Sequence, residues 1–265
     1  MKLDGCNALI TGASAGLGRE FARQLAGRAR ALTLVARREQ RLDELRDELI
    51  QRHQNLSVHT HRTDLANPSE LEELITWLER EKIDVDLLIN NAGFGDSGPF
   101  VTSDLIRNEQ IMLVNMVALT SLTRRLLPEM IARKRGAILN VSSSAGFLPI
   151  PGFAIYAATK AYVTSFSEAL RAEVRGTGVS VCALCPGPVH TEFQEVAKRR
   201  GGRPESGPEF VHVPAEQVVQ NALGALEADR PLVIPGLAMK LGMFLVRMTP
   251  MPILRLASRL SAKRD

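Results

Sequence analysis

Short apolar runs alternate with longer amphipathic segments along most of the chain. The runs are rich in Val, Ile, Leu and Ala, which is typical of strands that are buried on both faces of a parallel sheet. The intervening segments repeat apolar residues every three or four positions, as the core-facing side of a helix does. This alternation predicts an α/β fold with one doubly wound parallel sheet, of about seven strands, and helices on both faces.

The pattern also predicts where each element lies. The predicted strands are residues 7–11, 31–36, 56–65, 85–90, 136–143, 179–185 and 231–236, and the predicted helices are residues 18–28, 39–52, 68–80, 108–133, 156–175 and 215–228. Residues 192–214 are rich in Gly, Pro and charge, which predicts a mobile lid or substrate loop. We expect one domain over residues 1–238 and a basic amphipathic extension over residues 239–265.

A glycine-rich turn, GASAGLG, joins the first predicted strand to the first helix. Strand, glycine turn and helix form the first half of a dinucleotide-binding βαβ unit of the Rossmann-like type. Gly12, Gly16 and Gly18 let the backbone turn tightly and let a pyrophosphate approach the helix N-terminus. A glycine-rich turn without a ligand is the alternative.

Two arginines, Arg37 and Arg38, follow the second predicted strand, with no acid before Glu39. An acid at this place would bind the ribose 2′-hydroxyl of NAD, whereas arginine accommodates the 2′-phosphate of NADP. The pair therefore favours NADP(H) over NAD(H), and Ser14 of the glycine loop can add a hydroxyl to the same phosphate. A basic start to the next helix is the alternative.

Tyr156 and Lys160 are four residues apart in a helical pattern, and Ser143 follows the fifth predicted strand. Residues at i and i+4 share a helix face, so an ammonium there can lower the pKa of a phenol that otherwise titrates near ~10. A tyrosine tuned in this way can act as a general acid or base. Ser143 can hydrogen-bond the oxygen that the tyrosine protonates. A packed tyrosine beside a solvated lysine is the alternative.

Further candidate ligand positions follow the ends of other predicted strands, where ligands bind in open α/β sheets. Asp64 and Leu65 end the third strand, at the edge where an adenine would lie, and the loop NNAG, residues 90–93, follows the fourth. The loop PGPVHT follows the sixth strand on the nicotinamide side, with Thr191 available to the cofactor and His190 to the substrate.

Asn115 is a polar residue within an apolar helical run, IMLVNMVALT. A buried asparagine needs hydrogen-bond partners. One interpretation is a side chain that is satisfied by backbone or water. The functional interpretation is that Asn115 perturbs the helix and anchors a water molecule.

Composition narrows the classes of function. The net charge is +4, but residues 239–265 hold six Lys or Arg against one acid, so the first 238 residues carry a net −1. A main body without excess positive charge argues against nucleic-acid binding. We find no signal sequence and no apolar run of about 18 residues, and the three cysteines lack a framework spacing. These features predict a reducing, cytoplasmic location.

Two patterns with metal-binding residue types are better explained by packing. His59 and His61 share one face of a predicted strand, but no third ligand is in view. Cys182 and Cys185 form a CxxC within a strand-like run, where residues three positions apart point to opposite faces. We therefore predict no metal site and a buried position for both cysteines.

The motifs TGASAGLG, NNAG, YAATK and PGPVHT, together with Ser143, occur in the order and at roughly the spacing of the short-chain dehydrogenase/reductases. The chain resembles this family over about residues 3–235. The resemblance implies a catalytic tetrad of Asn115, Ser143, Tyr156 and Lys160. The cofactor-binding residues that we expect are Gly12, Ser14, Gly16, Leu17, Gly18, Arg37, Arg38, Asp64, Leu65, Asn91, Ala92, Gly93, Tyr156, Lys160, Pro186, Gly187, Val189 and Thr191.

Together these residues predict an oxidoreductase that transfers hydride between NADP(H) and a carbonyl or secondary alcohol. In this hypothesis Tyr156 donates the proton, Ser143 positions the substrate oxygen, Lys160 lowers the tyrosine pKa and holds the ribose, and Asn115 supports a water. The alternative is a cofactor-binding scaffold or regulatory protein without chemistry, against which the complete tetrad argues. A nucleotide-binding transferase would explain the glycine loop but not the tetrad.

The C-terminal extension is apolar with spaced arginines. Such a segment can lie on an anionic membrane surface, or it can cover the substrate cleft or a neighbouring subunit. Its similarity to the extensions of relatives that act on hydrophobic carbonyls points to a hydrophobic or lipid-like substrate. The family resemblance also implies a homodimer or homotetramer through the helices that carry Asn115 and Tyr156, where Ala157, Ala161 and Ser165 would allow close packing.

Overall fold

The computed structural model describes residues 2–197, 211–250 and 252–255. Within these ranges seven parallel strands form one sheet, in the order β3-β2-β1-β4-β5-β6-β7. The strands are β1 Asn7–Thr11, β2 Ala31–Ala36, β3 Ser57–Arg62, β4 Leu87–Asn90, β5 Gly136–Val141, β6 Val179–Leu184 and β7 Leu232–Val233. The predicted α/β fold with a doubly wound parallel sheet is confirmed.

Helices cover both faces of the sheet. They are α1 Gly16–Ala26, α2 Glu39–Arg52, α3 Pro68–Arg80, α4 Leu105–Met112, α5 Leu119–Ala132, α6 Ala154–Glu173, α7 Phe193–Ala197, α8 Ala215–Glu227 and α9 Leu237–Met248. Short 3₁₀ turns occupy Phe100–Thr102 and Ser144–Phe147. Among the described residues, no helix is long and apolar enough to span a membrane.

Alternating side chains of each strand enter two separate core layers, as the period of a strand requires. In β1, Ile10 packs into the layer of α1, α2 and α8, and Leu9 packs into the layer of α3, α5 and α6. Because both faces are covered, nearly every residue of the central strands is buried, which explains the continuous apolar runs in the sequence.

Three predicted element bounds need correction. The predicted helix 108–133 is two α-helices joined by a π-helical segment, Leu113–Ala118. The last strand, predicted over residues 231–236, is only Leu232–Val233, since only these two residues pair with β6. The predicted loop 192–214 contains the short helix α7, and its residues 198–210 lie outside the described part of the chain.

The order of the strands reverses direction between β1 and β4, because the chain moves outward from β1 to β3 and then returns to the other side of β1. The loops that leave the carboxyl ends of β1 and β4 therefore diverge and leave a crevice. In open α/β sheets this switch point is where ligands bind.

Candidate active site

A cleft of about 710 Å³ opens at the carboxyl edge of the sheet. Its walls come from the loops after β1 to β6 and from α7 and α9. Three of the four predicted tetrad residues, Ser143, Tyr156 and Lys160, line it. The predicted cofactor residues that line it are Gly12, Ser14, Gly16, Leu17, Arg37, Arg38, Asp64, Leu65, Asn91, Ala92, Gly93, Tyr156, Lys160, Pro186, Gly187, Val189 and Thr191. Asn115 and Gly18 do not line it.

Gly18 does not line the cleft because it lies beneath the glycine turn. A Cβ atom at Gly18 would lie 2.3 Å from the Gly12 carbonyl oxygen and 2.6 Å from Asn91 Nδ2. Its lack of a side chain therefore lets α1 pack against β1, which is the usual role of a third glycine in a dinucleotide turn. Gly12 and Gly16 have φ of 66° and 52°, and this left-handed backbone favours glycine.

Ser143 and Tyr156 meet on the floor of the cleft. Ser143 is the N-cap of the 3₁₀ turn Ser144–Phe147 and accepts a hydrogen bond from Ala145 N at 3.1 Å. Tyr156 lies in the first turn of α6 and is buried. The Ser143 hydroxyl lies near enough to the phenol to lower the pKa of Tyr156.

Lys160 lies one turn after Tyr156 on the same helix face, as the i, i+4 spacing predicts. Its ammonium donates to the Val141 carbonyl oxygen at 2.8 Å and lies 5.7 Å from the centroid of the Tyr156 ring. The ammonium therefore bridges the end of β5 and the tyrosine.

The predicted lowering of the tyrosine pKa by Lys160 is not found in this structure. Burial raises the pKa of Tyr156 to about 12, and the hydrogen bond with Ser143 opposes this shift only partly. Burial also lowers the pKa of Lys160 to about 8, because an ammonium loses its hydration in the protein interior. The sequence spacing indicated that Tyr156 and Lys160 are neighbours but not that they are buried. Burial is the largest influence on the pKa of both groups.

The Gly146 backbone brings the Ser143 turn against α6. A Cβ atom at Gly146 would lie 2.7 Å from the carbonyl carbon of Lys160 and 2.8 Å from its oxygen. Ser142 reinforces the same contact, since its hydroxyl donates to the Lys160 carbonyl oxygen at 2.7 Å. Neither residue was predicted as part of the site, because the close approach joins segments that are distant in sequence.

Asn115 lies in the π-helical segment, so the predicted perturbation of the helix is present. Its side chain bonds the Phe94 backbone in both directions, with Oδ1 accepting from N and Nδ2 donating to O, each at 3.1 Å. Nδ2 also donates to Thr159 Oγ1 at 3.0 Å, and Thr159 donates to the Tyr156 carbonyl oxygen at 2.8 Å. The asparagine side chain thus ties the loop after β4 to the turn of α6 that carries the tyrosine.

The opposite end of the cleft is basic. Arg38 donates to Ser14 Oγ from Nε at 3.3 Å and from Nη2 at 3.2 Å. Its Nη1 pairs with the Glu192 carboxylate at 2.9 Å, and Arg41 pairs with the same carboxylate at 2.6 Å. Arg37 lines the cleft nearby. The hydroxyl and guanidinium groups that would hold a 2′-phosphate are therefore gathered at the end of β2.

Apolar side chains that the sequence did not indicate line the part of the cleft around Tyr156. The rings of Phe153 and Phe193 lie 6.0 and 5.2 Å from the ring of Tyr156, centroid to centroid. The other apolar residues of this half are Phe94, Leu148, Ile150, Val196, Met239 and Met243. They come from loops and from α9, whose contribution depends on tertiary packing rather than on any local motif.

Other candidates lie away from the cleft. His61 hydrogen-bonds Thr63 through Nδ1 at 2.7 Å and packs against Trp77. The described residues hold no cluster of three or more His, Cys, Asp or Glu that could bind a metal ion. His190 is exposed and stacks on His212 at 4.3 Å, and it is not among the side chains that line the cleft. Both cysteines of the CxxC are buried, as predicted.

The residues of the cleft fit a phosphorylated dinucleotide in chemistry as well as in position. The glycine turn leads into α1, whose N-cap, Ala15, makes no side-chain capping bond, so the first backbone N–H groups remain for an anion. At the basic end, the Arg38 guanidinium pairs with the Glu192 carboxylate, so its N–H groups are directed at an anionic group. At Gly93, an added Cβ would lie 3.3 Å from Lys160 Nζ, so the glycine keeps this wall of the cleft open.

Comparison with known proteins agrees with this geometry. A family model described as short chain dehydrogenase matches residues 6–200. Sulfoacetaldehyde reductase 2 of Chromohalobacter salexigens is 39% identical over 196 residues, which are 73% of this chain and 76% of that protein. Among solved structures, a short-chain dehydrogenase from Sphingobium yanoikuyae in complex with NADPH matches with a TM-score of 0.80 and 34% identity, covering 88% of each chain. The bulky-bulky ketone specific alcohol dehydrogenase from Comamonas testosteroni matches with a TM-score of 0.76 and 32% identity, covering 88% and 86%.

Proposed function

The chain belongs to the short-chain dehydrogenase family, and from this membership we propose that it is an NADP(H)-dependent oxidoreductase acting on hydrophobic carbonyls or the corresponding secondary alcohols. The observation that carries the proposal is the position of Ser143, Tyr156 and Lys160 in one cleft with the basic group at the end of β2. The names of the NADPH-bound relative and of the ketone-specific relative support the cofactor and the substrate class.

A nicotinamide bound in this cleft would supply the hydride for the carbonyl carbon. Tyr156 gives its hydroxyl proton to the carbonyl oxygen, and the Ser143 hydroxyl holds that oxygen beside the phenol. With a pKa of about 12, Tyr156 keeps its proton throughout the neutral range and is a donor in the direction of reduction. The Lys160 ammonium, 5.7 Å from the centre of the Tyr156 ring, would hold the cofactor ribose, and Asn115 would support a water that returns the proton.

A hydrophobic substrate is supported by the lining of the cleft around Tyr156. The described side chains of this half are mostly aromatic or aliphatic, with serines such as Ser143 among them, and the Lys160 ammonium is directed to the Val141 carbonyl oxygen. The structure describes four other charged residues in the lining, which follow β2, β3 and β6. They are Arg37, Arg38, Asp64 and Glu192. Among the residues that the structure describes, an anionic substrate such as sulfoacetaldehyde would find no cation in this half other than Lys160 to replace its lost hydration.

The test is consumption of NADPH with matched pairs of ketones. We expect higher kcat/KM for bulky aryl or long-chain ketones than for sulfoacetaldehyde or a short 3-oxo acid. Faster turnover of the anionic compounds would contradict the substrate class. Binding of NADPH without turnover of any carbonyl or alcohol would favour the scaffold alternative over the enzyme.

We further propose that α9 contacts an anionic membrane surface. Its Met239 and Met243 line the cleft, while Leu241, Phe244 and Leu245 on the opposite face are more than half exposed. Five large apolar side chains of α9 share this exposed face, namely Leu237, Leu241, Phe244, Leu245 and Met248. Lys240 and Arg247 flank the face, and the segment 239–265 carries a net +5, so the patch complements anionic lipid.

Liposome flotation tests this contact. We expect Leu241→Glu with Phe244→Glu to abolish binding to vesicles that contain phosphatidylserine, whereas Ile50→Glu, an exposed apolar residue of α2, leaves it unchanged. Equal binding by the double variant would mean that α9 does not make the contact, and no binding by the wild type would contradict a membrane contact.

A homodimer or homotetramer through α5 and α6 completes the proposal. Ala161, Tyr162 and Ser165 are exposed on α6, and Tyr162 bonds Thr120 of α5 at 2.8 Å, which makes one continuous surface. Ala157 is buried inside the subunit and is not part of that surface. Light scattering should give two or four times the 29.0 kDa mass of the chain, and a monomer would contradict it.

A further inference from the structure

The Arg38 guanidinium at the basic end of the cleft is shared between two acceptors. One edge, Nε and Nη2, donates to the Ser14 hydroxyl, and Nη1 pairs with the carboxylate of Glu192. The second carboxylate oxygen of Glu192 accepts from Arg41 Nη1 at 2.6 Å. Glu192 therefore pairs with Arg38, the N-cap of α2, and with Arg41 in the first turn of that helix.

The donors that bind Glu192 are the donors that a 2′-phosphate requires. Guanidinium groups bind carboxylate and phosphate with the same fork of N–H groups, so the two anions compete for Arg38. If both were present, two like charges would lie on one guanidinium, which disfavours the second anion. Hydrogen bonds from Arg38 and Arg41 keep the pKa of Glu192 below its usual range, so its carboxylate stays charged at neutral pH.

The position of Glu192 in the chain makes this competition specific. Glu192 belongs to neither the glycine turn nor the end of β2, but immediately precedes α7 in the segment that follows β6. Its nearest acidic neighbour in that segment, Glu195, is exposed and lies within α7. The ion pair thus joins a segment on the substrate side of the cleft to the adenosine side.

We propose that Glu192 is a built-in competitor for the cofactor 2′-phosphate, and that it sets how strongly the protein prefers NADPH to NADH. This inference rests on the proposed use of NADP(H). It predicts that Ser14, Arg38 and Arg41 together bind NADPH more weakly than they would without the Glu192 carboxylate. NADH has no 2′-phosphate for Glu192 to compete with, so Glu192 should have little effect on NADH affinity.

The test is the dissociation constants of NADPH and NADH, measured by nicotinamide fluorescence in wild type, Glu192→Gln and Glu195→Gln. We expect Glu192→Gln to tighten NADPH binding about threefold to tenfold, as the loss of one or two exposed ion pairs implies, and to change NADH less than about twofold. Glu195→Gln removes the same charge three residues away and should change neither constant. The gain should shrink in high salt because the pairs are exposed.

Three results would overturn the inference. Unchanged or weaker NADPH binding by Glu192→Gln would mean that Glu192 does not compete. Equal tightening of NADPH and NADH, or the same effect in Glu195→Gln, would mean a general charge effect. Wild-type protein that binds neither nucleotide would refute the proposed function itself, and this outcome is separate from the first two because it needs no variant.

Discussion

Lys160 is almost fully buried, and its ammonium has the Val141 carbonyl oxygen as its hydrogen-bond acceptor. Burial lowers its pKa to about 8 from an ordinary 10.5. The folded protein therefore releases this proton at a lower pH than the unfolded chain does. Between these two values the unfolded chain binds more protons, so the free energy of unfolding rises with pH.

This linkage gives a prediction for Lys160→Met, which removes the buried ammonium. Between pH 7 and pH 10 the wild type should gain stability relative to the variant, by roughly 2 to 3 kcal/mol. Urea unfolding of both proteins at several pH values measures the difference. A constant difference across this range would show that Lys160 titrates near its ordinary value.

The two exposed arginines after β2 set a second prediction at the residue scale. Arg37→Asp combined with Arg38→Asp places acids where the 2′-phosphate would bind, so NADPH affinity should fall at least about tenfold while NADH affinity falls little or rises. Fluorescence titration measures both constants. Arg52→Asp, at the far end of α2, is the control. Preference of the wild type for NADH would show that the end of β2 was misinterpreted.

Among the elements, the short turn Ser144–Phe147 depends on one glycine for its contact with α6. A Cβ atom at Gly146 meets Lys160 backbone atoms, which cannot rotate away as a side chain can. We expect Gly146→Ala to destabilise the protein by about 1 to 3 kcal/mol and to shift Ser143 from Tyr156. Thermal and urea unfolding, with kcat measured in parallel, detect both effects.

Gly224 of α8 is the matched control for that substitution, because a Cβ atom there meets nothing within 4 Å. Gly224→Ala should stabilise the protein slightly, by about 0.5 to 1 kcal/mol, since alanine favours the helix interior. Equal effects of the two substitutions would mean that the contact between the turn and α6 is not tight.

The elements also show where prediction from sequence ends. The central strands were predicted well because each is a buried apolar run bounded by turns, whereas β3 and β7 are shorter than predicted. A perturbation of the helix at Asn115 was one interpretation of the sequence, but its π-helical form was not predicted, because one extra residue in a turn barely alters the apolar spacing. For the C-terminal extension the sequence left a membrane surface, the cleft and a neighbouring subunit open as alternatives, and the fold shows Met239 and Met243 of α9 at the cleft.

At the scale of the whole molecule, the sheet brings short motifs from distant parts of the chain to one edge. The glycine turn, the arginines after β2 and the Ser143, Tyr156 and Lys160 group were predicted from sequence because each follows a strand end. Packing between elements determines three features that the motifs do not predict. These are the burial of Lys160, the apolar lining around Tyr156 and the ion pairs of Glu192. These features govern pKa and specificity, which local sequence does not report.

The central claim is that Tyr156 donates the proton in NADPH-dependent reduction of a carbonyl, and the most direct measurement compares Tyr156→Phe with the wild type. Phenylalanine keeps the ring between Phe153 and Phe193 and removes only the hydroxyl. We predict unchanged NADPH affinity and a loss in kcat of about 10² to 10⁴, the usual contribution of a general acid. Full activity of Tyr156→Phe on a ketone that the wild type reduces would contradict the account.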